Sequence, residues 1–306
     1  MKSASVEARS DSLAIPAVAL AVVAWGVGPL LVRGMGVSGY TVALYRMWLG
    51  APAMLLAAHL WGSPLTLAVL RRCVLPGIFF GSSMMMGFMA VRTTSIAHAT
   101  LIGSLTPALV LLGANRLVGE RSDLRRFPAA VVSFVGLALV ILVGGGATGA
   151  SVAGDVWAVL GLVCFTVYFM ILKKQRNAGV DGWAFLAGVF ITGAITITPF
   201  CMVISDDLTA LEAVDLVYLV GMIIGPGFIG HGLITWASRH LPVTTTSLLT
   251  LGSPVVSVIG GWIVFEQSLG GWQMFGAALV LVGLAGSVWD RSARPDRATE
   301  AAPVVG

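Results

Sequence analysis

Apolar runs of 17 to 25 residues recur along this chain, and that is the length a helix needs to cross about 30 Å of hydrocarbon. Ten such windows stand at residues 13–32, 39–60, 73–91, 97–115, 127–143, 155–172, 183–204, 214–236, 243–265 and 271–289. None shows the two-residue alternation of a strand, so all are read as helices, whose backbone groups are satisfied within the segment. Only 10% of the 306 residues are charged, against 57% hydrophobic, which is less than half the charged share of a soluble domain. The sequence therefore predicts an all-α membrane protein with ten transmembrane helices. Lys2 and Arg9 give the opening residues the look of a signal-peptide n-region. The apolar run behind them is about twenty residues long and lacks a cleavage site, so it is read as an uncleaved first span.

Basic residues fix the expected orientation. With both termini in the cytoplasm, Lys2, Arg9, Arg71, Arg72, Arg116, Arg121, Arg125, Arg126, Lys173, Lys174, Arg176, Arg239, Arg291, Arg294 and Arg297 fall inside, fifteen of the eighteen. Arg33 and Arg92 fall outside, and Arg46 sits within a span. The net charge of +4 is thus distributed by membrane side and forms no patch for nucleic acid. Cys73, Cys164 and Cys201 lie in or at the ends of apolar runs, without metal-ligand spacing, and read as buried free thiols. No GxxxxGK[ST] phosphate loop occurs, so neither a nucleotide nor any other cofactor or metal is expected.

The chain also aligns with itself. AVRTTSIAHATLIGSLTPAL from Ala90 lies over ASRHLPVTTTSLLTLGSPVV from Ala237 without a gap, pairing Arg92 with Arg239, Thr106 with Ser253 and Pro107 with Pro254. VAWGVGPLLVRG from Val23 lies over VCFTVYFMILKK from Val163. The offsets of 140 to 147 residues correspond to five spans. Five is odd, so matching helices run in opposite directions and the fold expected is two inverted five-helix repeats, an arrangement suited to alternating access. The organisation read from the chain is a cytoplasmic segment 1–12, a first repeat 13–143, a Gly-rich joining loop 144–154, a second repeat 155–289 and a disordered cytoplasmic tail 290–306.

Several stretches, taken in order, resemble the EamA-like branch of the drug/metabolite transporter superfamily. They are Trp25-Gly26 in the first span, Tyr45-Arg46 in the second, SLTPAL followed by VGER around the fourth, and GSPVV followed by FEQSLGGWQMFGAALVLVGL across the last two. The resemblance covers about residues 13–289. It implies a ten-helix secondary transporter of small metabolites, often an exporter, with a central cavity lined mainly by spans one, three, four, six, eight and nine. Phe265 stands where that pattern usually has a glycine before the glutamate, which loosens the carry-over to Glu266.

Arg46 is the one charge deep in a span, where an arginine costs about 3 kcal/mol or more. It shares a helical stripe with Gly50, Ala53 and Ala57, while Trp48 and Leu55 point the other way. Two roles are open for it: bordering the cavity to hold an anionic group or a gate, or snorkelling to the outer surface. Trp25, Tyr45, Met84, Phe88, Tyr168 and Trp236 are the expected cavity side chains for an apolar or aromatic solute. His98 and His231 join them because imidazole titrates near neutral pH and offers proton coupling; the alternative is that each is neutral and hydrogen-bonded to a neighbour. Pro107 and Pro254 are expected to kink corresponding helices and act as hinges, and Glu120 and Glu266 are expected to gate or to cap loops. No catalytic residue is assigned.

The function read from the sequence is a secondary transporter, an exporter of a small amino-acid-like or amphipathic solute, in a bacterial cytoplasmic membrane. The alternatives are a non-selective channel, a multidrug efflux protein, or a receptor or scaffold without flux. An intramembrane hydrolase built on Ser82 or Ser83 lacks a base and an oxyanion site in pattern. The partners read are a small-molecule solute and the lipid bilayer, with proton coupling and a homodimer left open. Reporter fusions to the two ends should place both in the cytoplasm; ends in different compartments would overturn the ten-span count.

Overall fold

Each long apolar run builds a helix, because in lipid an unpaired amide costs several kcal/mol and a helix pairs them all. The computed structural model describes residues 2–94, 99, 102–119, 127–143, 151–265 and 270–292. His98, Glu120, Glu266, most of the joining loop and most of the tail lie outside the described residues. In chain order the helices are α1 (Lys2–Gly34), α2 (Gly39–Trp61), α3 (Leu67–Thr93), α4 (Thr106–Leu117), α5 (Phe127–Val143) and α6 (Val152–Asn177). They continue as α7 (Gly182–Ile204), α8 (Ala213–Ala237), α9 (Val243–Leu249), α10 (Gly252–Phe265) and α11 (Gly271–Ser292). No strand occurs among the described residues.

Six of these helices contain stretches long and apolar enough to cross a bilayer: Leu13–Val32, Gly39–Trp61, Leu67–Thr93, Val152–Asn177, Gly182–Ile204 and Ala213–Ala237. The chain is a multi-pass membrane protein. Starts are set by polar caps: Ser38, Thr66, Ser151 and Asp181 each accept a backbone amide in the first turn of α2, α3, α6 and α7. Gly179, with φ of 79°, takes the left-handed conformation just beyond the end of α6.

Two sequence expectations are altered. The windows 97–115 and 243–265 are not continuous kinked helices. A turn at Ser104–Leu105 precedes α4, and a turn at Thr250–Leu251 separates α9 from α10. Pro107 and Pro254 then fall in the first turn of the helix that follows, where a missing N–H leaves no bond unmade. In addition, α8 is not α-helical throughout: Ala213–Met222 leads into a π-helical stretch, Ile223–His231, before α-helix resumes at Gly232–Ala237.

Small residues let the helices close on one another. Between α3 and α7 a Cβ on Gly81 would lie 2.7 Å from the Gly193 carbonyl oxygen, and one on Gly77 would overlap Thr192 Oγ1. Between α5 and α11 a Cβ on Gly136 would lie 2.5 Å from the Gly276 carbonyl oxygen. Phe80, Tyr168, Phe169, Phe185 and Phe190 fill the centre where α3, α6 and α7 meet, each under 2% or at 2% exposed. Gly81→Val should lower the thermal midpoint in detergent by an amount equivalent to about 1–3 kcal/mol, the usual cost of overpacking. Gly36→Ala, where a Cβ meets nothing within 4 Å, should leave it unchanged.

Candidate functional site

Arg46 lies seven residues into α2, roughly 10 Å along the helix from its start. The stripe of small residues turns it inward, and it is only 4% exposed. Snorkelling, one of the two roles left open by the sequence, is thereby excluded. Its Nη1 donates to Met84 Sδ at 3.0 Å, and the guanidinium sits over the Phe88 ring, 5.4 Å from the centroid. Nε has no hydrogen-bond partner. Among the described residues no carboxylate pairs with it. A thioether and a ring face are weak compensation for a full charge in low dielectric.

A second cluster sits beside the first. Phe80 meets Tyr168 at 4.6 Å and His231 edge-on at 4.9 Å, while Trp25 lies 4.9 Å from His231 and 6.0 Å from Phe165. His231 is 3% exposed and within electrostatic reach of Arg46. The Trp25 indole donates to the Pro226 carbonyl at 3.2 Å, inside the π-helical stretch. The ring packs so closely that a Cβ on Gly230 would lie 2.4 Å from Trp25 Cδ1. The hydroxyls of Tyr168 and Thr235 are buried close to one another. Arg46, Met84, Phe88, Trp25, Tyr168 and His231 are thus gathered around the middle of the bundle.

The other candidates stand apart. Tyr45 does not reach Arg46; its hydroxyl donates to the Leu208 carbonyl at 2.8 Å. Trp236 lies towards the opposite end, against His240 at 4.8 Å. Residues that the sequence did not single out complete the picture. Phe80 and Phe165 link the rings. Asp207, in the α7–α8 loop, accepts from the Ser38 amide and from the hydroxyls of Ser38, Thr41 and Ser205. Burial alone would raise its carboxyl, but those bonds hold it down at about 2. Asp215 accepts from the Gly36 amide at 3.0 Å. The two carboxylates clasp the α1–α2 turn to the loop and the start of α8. The only sequence signal for this was a loop rich in acid and free of base.

At the far end, Lys173 Nζ donates to the Ser238 and Leu241 carbonyls at 2.7 and 2.8 Å, and Arg176 Nε to the Thr235 carbonyl at 3.0 Å. These cations answer the carbonyls freed where α8 ends. No group of three or more metal-ligating side chains occurs among the described residues.

Comparison with known proteins agrees with this arrangement. The profile of the EamA-like transporter family matches residues 12–142 and 152–289. The chain is 21% identical over 270 residues to an uncharacterized transporter of Archaeoglobus fulgidus, covering 88% of this chain and 93% of that protein. It is 27% identical over 215 residues to Protein PecM of Dickeya dadantii, covering 68% of each. A solved crystal structure shares the fold at a TM-score of 0.74 and 21% identity, over 90% of this chain and 97% of that one.

Arg46→Met should keep the protein folded and raise its thermal midpoint in detergent, because the variant no longer buries a charge whose insertion costs about 3 kcal/mol. A midpoint that falls would mean that the guanidinium has a structural partner.

Proposed function

The chain belongs to the EamA-like transporter family, and from that premise we propose that it is a secondary transporter whose solute carries an anionic group bound by Arg46. It is a membrane transporter and not an enzyme. The observation that carries the proposal is the buried guanidinium, met among the described residues by Met84 Sδ and the Phe88 face, with Nε unpartnered there. A lone cation in the interior is tolerable when an anion arrives to share it. The rings of Phe80, Phe88, Trp25 and Tyr168 make the surroundings suited to an amphipathic or amino-acid-like solute. His231, close to both Arg46 and Trp25, is the group through which proton coupling would act.

Ten spans in two inverted halves, exchanging a single chamber between the two sides, form the mechanism proposed. What supports it is the pairing of helices. α1 packs on α8 as α6 packs on α3, and α1 on α10 as α6 on α4; α2 with α7 and α5 with α11 are their own counterparts. A two-fold relation between halves produces such pairs. The breaks ahead of Pro107 and Pro254 fall at matching places and suit hinges. His98, Glu120 and Glu266 keep the roles expected from the sequence: solute or proton contact for the first, gating for the other two. The setting proposed is a bacterial cytoplasmic membrane with both termini cytoplasmic, on the strength of the Arg and Lys distribution, and the direction proposed is export.

Protein reconstituted in proteoliposomes should take up labelled carboxylate-bearing solutes, including amino acids, at a saturable rate. Arg46→Met should cut that rate about ten- to a hundredfold, the loss of one charge-assisted hydrogen bond or slightly more. Flux that never saturates would point to a channel instead. Equal flux in the variant would remove Arg46 from solute binding.

A further inference from the structure

A cavity of about 730 Å³ opens at the end of the bundle where α2 stops and α7 begins, away from the Asp207 clasp. Leu13 and Leu20 of α1, Trp61 of α2, Trp183 of α7, and Phe228 and Trp236 of α8 form most of its wall. Three of these rings are organised as a unit. Trp183 stacks on Phe228 at 4.6 Å and 25°, and Trp61 stands 5.7 Å from Phe228 at 69°. The unit has a built seat, since a Cβ on Gly232 would lie 2.6 Å from Trp183 Cη2.

Two charged groups complete the lining, Arg176 and Asp181. Arg176 is 7% exposed, its Nε and Nη1 are taken by the Thr235 and Val180 carbonyls, and Asp181 is within its electrostatic reach. Asp181 uses Oδ1 for the Ala184 and Ser63 amides at 3.0 and 3.2 Å, which leaves Oδ2. One end of the cavity thus offers a cationic donor and an anionic acceptor together, and the remainder offers flat rings. Elsewhere in the bundle α3 and α7 are closed tightly through Gly77, Gly81 and Gly193.

We infer that this cavity is a second solute site, a vestibule that takes a zwitterion with a flat aromatic body, its carboxylate towards Arg176, its ammonium towards Asp181 and its ring against Trp61, Trp183 and Phe228. The inference rests on the transport reading above and narrows its solute class. A zwitterion would engage both rim groups at once, whereas a simple anion would engage Arg176 alone and a hydrocarbon neither.

The test compares one ring with different heads, using the full chain in lipid nanodiscs so that acyl chains compete throughout. Binding of 3-(2-naphthyl)alanine, 2-naphthylacetate and 2-(2-naphthyl)ethylamine would be measured by calorimetry. The zwitterion should bind saturably and more tightly than either singly charged analogue. Trp183→Leu should weaken it at least fivefold. Asp181→Asn, which keeps a helix-capping side chain, should abolish the preference over naphthylacetate. Arg46→Met should leave this binding within twofold while cutting flux in proteoliposomes about ten- to a hundredfold, so loss of transport and loss of the vestibule read out separately. Equal affinity for all three probes, no binding in nanodiscs, or an unchanged affinity in Trp183→Leu would overturn the inference.

Discussion

Inside a bilayer no water answers a backbone group that leaves its helix, and the fold depends on how that constraint is met. At several places where a described helix stops or loosens, a side chain from elsewhere supplies the missing partner. The Pro226 carbonyl in the π-helical stretch receives Trp25. The carbonyls of Thr235, Ser238 and Leu241 receive Arg176 and Lys173. The Gly36 and Ser38 amides reach Asp215 and Asp207. These are long-range bonds, so each local interruption also ties distant helices together, and the places where the chain bends are the places where it is cross-braced.

Arg46 is the exception that gives the braces their purpose. Every other buried cation named above is satisfied by carbonyls, whereas this one rests on sulfur and a ring. The family to which the chain belongs moves small solutes, and the most economical use of an unanswered charge in a dry interior is to wait for a ligand that answers it. Beside it stand a thioether and an aromatic ring, so under the proposed reading a ligand's charge would be met by a single group.

Sequence patterns were most informative where physics is local. The windows at 39–60, 127–143 and 183–204 match α2, α5 and α7 to within a residue, since hydrocarbon thickness alone sets their length. The stripe of Gly50, Ala53 and Ala57 correctly turned Arg46 inward, because helix geometry fixes which side chains share a face. The patterns were least informative where two distant segments decide together. GPG at residues 225–227 signals a weak helix, but not that the Pro226 carbonyl would be met by Trp25, two hundred residues away. Trp61 and Trp183 sit at helix ends and gave no sign of forming one wall, and the acid-rich loop did not reveal which amides it would hold. Pro107 and Pro254 were read as kinks because periodicity cannot distinguish a bent helix from two helices abutting at a turn.

The nine-residue stretch Ile223–His231 has a further consequence. A π-helix carries extra backbone compared with an α-helix over the same rise, and such a wide coil stores slack. Taking one residue out of the wide coil would rotate everything after it by about 100° and slide it by about 1.5 Å. His231 would then swing off Trp25 while Trp236 changed the side it presents, without a single loop having to open. A screw of this kind would turn a wall of the passage from within the helix, and Lys173 and Arg176 would have to find other carbonyls beyond it.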